Sequence, residues 1–311
     1  MSNDKNVFNL NNGFTDLWTS VLTPLNADFS IDTNKYVIHV KTLLSNGSKG
    51  VCIFDQYGEG PSFSLQERKA LLDELIKAEI PSNSILVCTT AASIKDMTEL
   101  TQHAVAHKVI GCLMGTPFYY AKSSNQGLID SYAHVINAVL EKNWFIYLHN
   151  NPFVVSGTLP HAVITELLRL FPNHISGVLD ASENLTTSSE LVRSFFANCM
   201  VYTQHEKDIM KVIELKSAGA VSVVANLLPK QVNKAITKRS SAHATLTNDL
   251  LDFVVDHHPK IPACKAILSL LHHNPQWLIV RPPLVQLGKD ALADISKNLK
   301  KFAFDHEMKL P

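Results

Sequence analysis

Along the first three-quarters of the chain, short runs of β-branched and apolar residues recur, each followed by a longer stretch whose apolar positions fall at helical spacing. Eight such runs read as strands: 17–22, 50–54, 85–89, 109–114, 145–149, 175–179, 200–203 and 220–224. Most are continuously apolar instead of alternating, the pattern of parallel strands covered on both faces. The segments between them carry helix signals. Asp32 is placed to cap a helix whose apolar face is Tyr36, Val37, Val40, Leu43 and Leu44, with Gly47 as its stop. Ser64 and Glu67 form a capping-box pair ahead of Leu71, Leu72, Leu75 and Ile76, and Pro81 prevents continuation. The same spacing returns in Met97, Leu100 and Ala104, in Leu128, Tyr132, Val135 and Val139, and in Val163, Leu167 and Leu168.

The pattern predicts an α/β chain: a (β/α)8 barrel over residues 14–229, then a C-terminal helical region over 230–311 that lacks a convincing strand. Eight strand and helix units within the roughly 250 residues typical of such a barrel favour closure over an open doubly wound sheet. No Gly-x-Gly-x-x-Gly or Gly-x-x-x-x-Gly-Lys loop supports a nucleotide-binding alternative. No internal repeat or low-complexity stretch interrupts the chain, and residues 1–13 are expected to fray.

Composition narrows the partners. With 311 residues, 46% of them hydrophobic, a large core is available. Lys+Arg and Asp+Glu number 28 each, so charge points to neither nucleic acid nor a membrane surface. The polar start and the absence of a run long and apolar enough for a membrane span make a cytoplasmic protein the expectation. Cys52, Cys88, Cys112, Cys199 and Cys264 are far apart and form no C-x-x-C pair, so they read as buried reduced thiols.

In a barrel of this kind chemistry gathers at the C-terminal ends of the strands. Those ends deliver Thr23-Pro24, Asp55-Gln56-Tyr57-Gly58-Glu59, Thr89-Thr90 and Pro117-Phe118-Tyr119-Tyr120. The later strands supply His149-Asn150-Asn151-Pro152, Leu179-Asp180-Ala181-Ser182, Gln204-His205-Glu206 and Asn226. A strand-end histidine such as His149 suits general acid/base work near neutral pH, although a single histidine is more commonly a satisfied core residue. Asp55 could accept hydrogen bonds from a ligand or cap its own loop, and the second role is preferred. Asp55, His149, Asp180, His205 and Glu206 include the residue types a divalent metal needs, yet no short-range ligand spacing backs a site, and neither metal nor cofactor is assigned. His257-His258 and His272-His273 read as exposed polar positions on helices.

The ordered string of motifs resembles the dihydrodipicolinate synthase/N-acetylneuraminate lyase family of class I aldolase-type TIM barrels, over nearly the whole chain. Thr23-Pro24 is similar to the family's first-strand Thr-Pro. The segment 58–64 with Glu67-Arg68 resembles the stretch after its Gly-Thr-Thr-Gly-Glu loop, and Pro117-Phe118-Tyr119-Tyr120 its Pro-Tyr-Tyr element. Asn150-Asn151-Pro152 with Ser156-Gly157 resembles its Tyr-Asn-x-Pro segment, Ser222-Val223-Val224-Ala225-Asn226 its Ser-Val-x-Ala-Asn strand, and Arg281-Pro282-Pro283-Leu284 a C-terminal signature.

The resemblance implies Schiff-base chemistry between a sixth-strand lysine and a 2-keto acid such as pyruvate. In the Gly-x-Lys-Asp-Ser motif, however, that lysine's place is held by Leu179, and leucine cannot form an imine. Gln56 and Tyr57 replace the paired threonines that hold the keto-acid carboxylate, Asp55 replaces the glycine before them, and His149 stands where a proton-relaying tyrosine belongs. Lys207 and Lys122, the nearest lysines by position, read as exposed.

These departures imply a divergent member, a pseudoenzyme or a binder of a small polar metabolite, a carboxylate or a polyol. Tyr119 and His149 are its candidate catalytic groups, and Asp55, Gln56, Tyr57, Asp180 and Asn226 its candidate substrate-binding groups. Asp55, Tyr57, Tyr119, His149, Leu179 and Asp180 are expected around one cavity. The alternative is an active carbon–carbon or carbon–oxygen lyase or aldolase using His149 and carboxylates, with or without a metal. A homodimer or homotetramer is implied by the resemblance.

Overall fold

The structure, a computed structural model, describes residues 16–118, 120, 122–154, 158–207, 209–238, 241–255 and 259–299. Eight strands pair in parallel in sequence order: β1 (Asp16–Ser20), β2 (Gly50–Ile53), β3 (Ile85–Cys88), β4 (Gly111–Gly115), β5 (Ile146–Asn150), β6 (Ile175–Asp180), β7 (Met200–Thr203) and β8 (Gly219–Ser222). Pairing of β1 with β8 closes the barrel. Each expected run carries a strand, displaced by no more than a residue or two at either end.

The helices α1 (Thr33–Ser45), α2 (Leu65–Lys77), α3 (Ile94–Ala106), α4 (Asn125–Ala138), α5 (His161–Leu170), α6 (Leu185–Phe195) and α7 (Ile209–Glu214) alternate with the strands. The ring ends with α8 (Pro229–Lys238), which packs on β1 and α7, so its last helix falls beyond residue 229. Local sequence sets the helix ends. The Asp32 carboxylate accepts from Lys35 N at 3.0 Å, and Ser64 and Glu67 exchange both bonds of the capping box. Gly47, just past α1, takes φ +108°, open to glycine and strained for other residues.

Register decides what fills the barrel. Tyr147 pairs with Gly177, His149 with Leu179 and Leu179 with Tyr202, so these side chains share one face of the sheet. The Tyr147 ring reaches Gly111 on β4, Gly177 on β6 and Tyr202 on β7, which only a ring inside the barrel can do. A Cβ on Gly177 would lie 3.0 Å from Tyr147 and 2.5 Å from the Met200 carbonyl, so that position has no room for a larger residue.

Beyond the ring, α9 (Ser241–Val255), α10 (Lys260–Leu271) and α11 (Lys289–Leu299) bury a second apolar cluster. Leu250, Ile267 and Trp277 pack there with Leu17 and Leu22 from the first strand and the chain just after it. All five cysteines are buried and free of disulfides. Among the described residues no helix is long and apolar enough to cross a membrane.

Candidate active site

The loop after β2 carries the first functional side chain. Phe54 and Glu59 both adopt left-handed backbone, with φ of 63° and 58°, a conformation costly for residues with a Cβ. Asp55 holds that loop in place. Its carboxylate accepts from Ser20 Oγ at 2.6 and 2.7 Å, from Gly58 N at 3.0 Å and from Gln204 Nε2 at 3.0 Å. Thr23 Oγ1 donates to the Gly58 carbonyl at 2.7 Å, and a Cβ on Gly60 would sit 1.8 Å from the Phe54 carbonyl oxygen. Burial pushes the Asp55 carboxyl up, while hydrogen bonds from Ser20, Gly58 and Gln204 pull it back. Asp55 therefore does cap its loop, and it also ties the ends of β1 and β7 together.

Above this network lies a small cleft, partly open to solvent, whose lining includes Asp55, Gln56, Thr90, Phe118, His149 and Asn151. It gathers Asp55, Gln56 and His149 from the expected set. Gln56 Oε1 accepts from Asn151 Nδ2 at 2.8 Å, which fixes the amide across the mouth from β2 to β5. His149 is buried, and burial drives its imidazole down to about 4, an effect that the neighbouring Gln204 side chain partly offsets. The ring is neutral at pH 7. His149 Nε2 and Gln204 Oε1 are both buried without a hydrogen-bond partner in the protein, an arrangement that normally costs stability. Leu179, the register neighbour of His149, is 0% exposed. Among the described residues no lysine or arginine lines the cavity.

The other expected residues are placed elsewhere. Tyr57 is buried and donates its hydroxyl to Glu183, which also accepts from Lys260 Nζ, and that ammonium stands 5.9 Å over the Tyr57 ring. Asp180 is turned toward the helix layer, where it accepts from Asn150 Nδ2 at 2.7 Å, from Ser182 and from Ser188 of α6 at 2.5 Å. Asn226 accepts from Leu22 N at 3.1 Å and from His39 Nε2, and donates to the carbonyls of Ser20 and Val223. Of the residues expected to bind substrate, Tyr57, Asp180 and Asn226 make these hydrogen bonds within the protein and are not among the residues that line the cavity. Tyr119, Ser156-Gly157 and His257-His258 lie outside the described residues, as do residues 1–13.

Among the described residues no three of Asp55, His149, Asp180, His205 and Glu206 bring ligand atoms within 4.8 Å of one another. Glu206 accepts from Ser222 Oγ and from Val224 N at 3.0 Å, and burial pushes its carboxyl up to about 7. Lys207 pairs with Asp252 at 2.8 Å in the open, and Lys122 is exposed. His273 is exposed, whereas His272 is half-buried against Trp277, with ring centroids 6.4 Å apart, contrary to its reading as an exposed position.

Two lysines from α10 escaped the sequence reading. Lys260 reaches the rim through Glu183, and Lys265, 0% exposed, pairs with Glu59 and donates to the Ile279 carbonyl at 2.8 Å. A signal existed for the second, a single lysine inside the apolar stretch 261–268.

The Dihydrodipicolinate synthetase family profile matches residues 13–302. The 4-hydroxy-tetrahydrodipicolinate synthase of Dehalococcoides mccartyi is 26% identical over 303 residues, 94% of this chain and 98% of the relative. The crystal structure of dihydrodipicolinate synthase from Agrobacterium tumefaciens superposes with a TM-score of 0.87 at 26% identity, covering 93% of this chain and all of that one, 100%. YagE, a prophage protein of the dihydrodipicolinic acid synthase family from E. coli K12 crystallised with pyruvate, shares the fold at a TM-score of 0.84 and 20% identity, over 94% of this chain and 99% of its own.

Proposed function

The chain belongs to the dihydrodipicolinate synthetase family, and from that premise we propose that it is a divergent member without Schiff-base activity whose barrel mouth binds a small neutral polar metabolite. The observation that carries the reading is Leu179, buried on the inner face of β6 beside His149, with no lysine lining the cavity among the described residues. Imine formation needs an amine that attacks the keto carbon while water leaves, and an isobutyl group offers none. A keto-acid carboxylate entering this cavity would give up its hydration beside the Asp55 carboxyl and a neutral imidazole, without a cation in return. A polyol loses less, since it brings no charge to desolvate and its hydroxyls can hydrogen-bond with the Asp55, Gln56, His149 and Asn151 side chains that line the cavity. Of the two sequence-level ligand classes, the polyol fits better.

The alternative lyase or aldolase is less well supported. A base whose conjugate acid sits near 4 takes up a proton only weakly at pH 7. On the same reading the protein is cytoplasmic and a homodimer or homotetramer. Borohydride reduction in the presence of pyruvate, followed by mass spectrometry, tests it: the expected result is unmodified protein. A pyruvyl adduct on any lysine, Lys260 and Lys265 included, returns the chain to the ordinary lyases.

A further inference from the structure

On the outer surface of the barrel, remote from the mouth, His103 and His107 stand four residues apart at the C-terminal end of α3 and so share a face. Asp73 reaches them from α2. Its Oδ1 lies 2.8 Å from His103 Nε2 and 2.7 Å from His107 Nε2, the imidazole rings are 4.8 Å apart at 76°, and all three ligand atoms fall within 4.8 Å of one another. We propose that Asp73, His103 and His107 bind one divalent transition-metal ion of the zinc type, clipping α2 to α3.

A helix-to-helix ion pair needs one histidine; here two ring nitrogens converge on one carboxylate oxygen. Zinc takes imidazole nitrogen at about 2.0–2.1 Å and carboxylate oxygen at about 2.0–2.2 Å, and a tetrahedral arrangement of such donors spaces them by a little over 3 Å. Each Nε2 to Oδ1 contact therefore has to open by roughly half an ångström on metal entry. Asp73 can move that far, because its side chain is 52% exposed, against 17% for His103 and 27% for His107. Two imidazoles and one carboxylate favour zinc, copper, nickel or cobalt over magnesium or calcium, which prefer oxygen alone. The exposed side leaves a fourth position for water.

Ligation requires each ring to hold its proton on Nδ1 and present the Nε2 lone pair, so protonation competes with metal. Burial, with help from His107 and Lys69, lowers the His103 pKa, while Asp73 raises it. The Lys69 ammonium, one turn before Asp73, is held off by Glu99 at 2.9 Å.

Calorimetric titration of the purified full chain with zinc chloride is the test, since it reads binding without any activity. One saturable site per chain is expected, with a thermal midpoint that rises on zinc addition. The double variant H103Q/H107Q is expected to weaken that site at least about tenfold and to lose the thermal shift. Should the double variant fold poorly by circular dichroism, H107Q at the helix end carries the same expectation. Cobalt(II) added to the wild type is expected to give the intense visible bands of four-coordination. Absence of saturable zinc binding to the wild type, or binding unchanged in the histidine variants, overturns the proposal.

Discussion

Glu206 shows how burial converts one side chain into a pH-dependent element. Its carboxyl is held near 7 in the fold against an ordinary value of 4.5, chiefly by loss of solvent, with Ser222 and Val224 N pulling the other way. Between those values the folded chain keeps a proton that the unfolded chain has released. Its contribution to stability is thus fully present below about 4.5 and lost as pH rises through about 7, a difference on the order of 3 kcal/mol. Glu206→Gln keeps an oxygen for Ser222 and Val224 N without the charge. In urea unfolding, the variant is expected to match the wild type near pH 5 and to exceed it by roughly 2–3 kcal/mol near pH 8.5. Equal differences at both pH values would show that Glu206 does not titrate as described. His149 works in the opposite sense: its pKa near 4 lies below the ordinary 6.5, so its contribution is present above 6.5 and lost as pH falls through about 4.

At the scale of elements, the polar residues at the strand ends act as joints. Asn226 closes the barrel where β8 meets β1, and Asp180 fastens β6 to β5 and α6. Asn226→Ala leaves the Leu22 amide, the Ser20 carbonyl and His39 Nε2 without their partner in a buried setting. A loss of about 2–4 kcal/mol in chemical denaturation is expected, since orphaned buried groups cost about 1–3 kcal/mol each and part of that is recovered by relaxation. A variant with native stability and impaired ligand binding would instead restore Asn226 to the ligand site. The helix caps were readable from sequence because their partners lie three residues apart. These joints were not, because Asn226 bonds to Leu22 across 204 positions of chain.

For the molecule as a whole, the C-terminal helices are tied to the barrel by a charge pair inside apolar packing. Lys265 and Glu59 are both 0% exposed, and Glu59 also accepts from Arg281 N at 3.1 Å. Replacing one partner strands the other. Lys265→Met is expected to cost about 3–5 kcal/mol, and adding Glu59→Gln to recover much of it. Both are measured by denaturant unfolding, and a Lys265→Met variant as stable as the wild type would mean that the pair does not hold the region in place. The assembly belongs to this scale too: Tyr120 at 76% and Phe153 at 66% exposure offer aromatic surface for a subunit contact, and light scattering is expected to give at least a dimer.

Hydrophobic periodicity is local, so the sequence alone determined the eight strands, their order, the helix caps and the closed (β/α)8 form. Motif order carried the family, and residue 179 is a leucine. Tertiary structure decided which strand-end groups face the cavity and which are consumed elsewhere. Asp55 meets Gln204 across 149 positions and Lys265 meets Glu59 across 206, contacts that chain closure makes and that no local spacing encodes. A polar side chain at a barrel mouth can serve a ligand or the protein, and the choice rests on whether a donor or acceptor comes within about 3 Å of it when the chain folds. For Asp180 and Asn226 one did, whereas the His149 ring still lines the cavity.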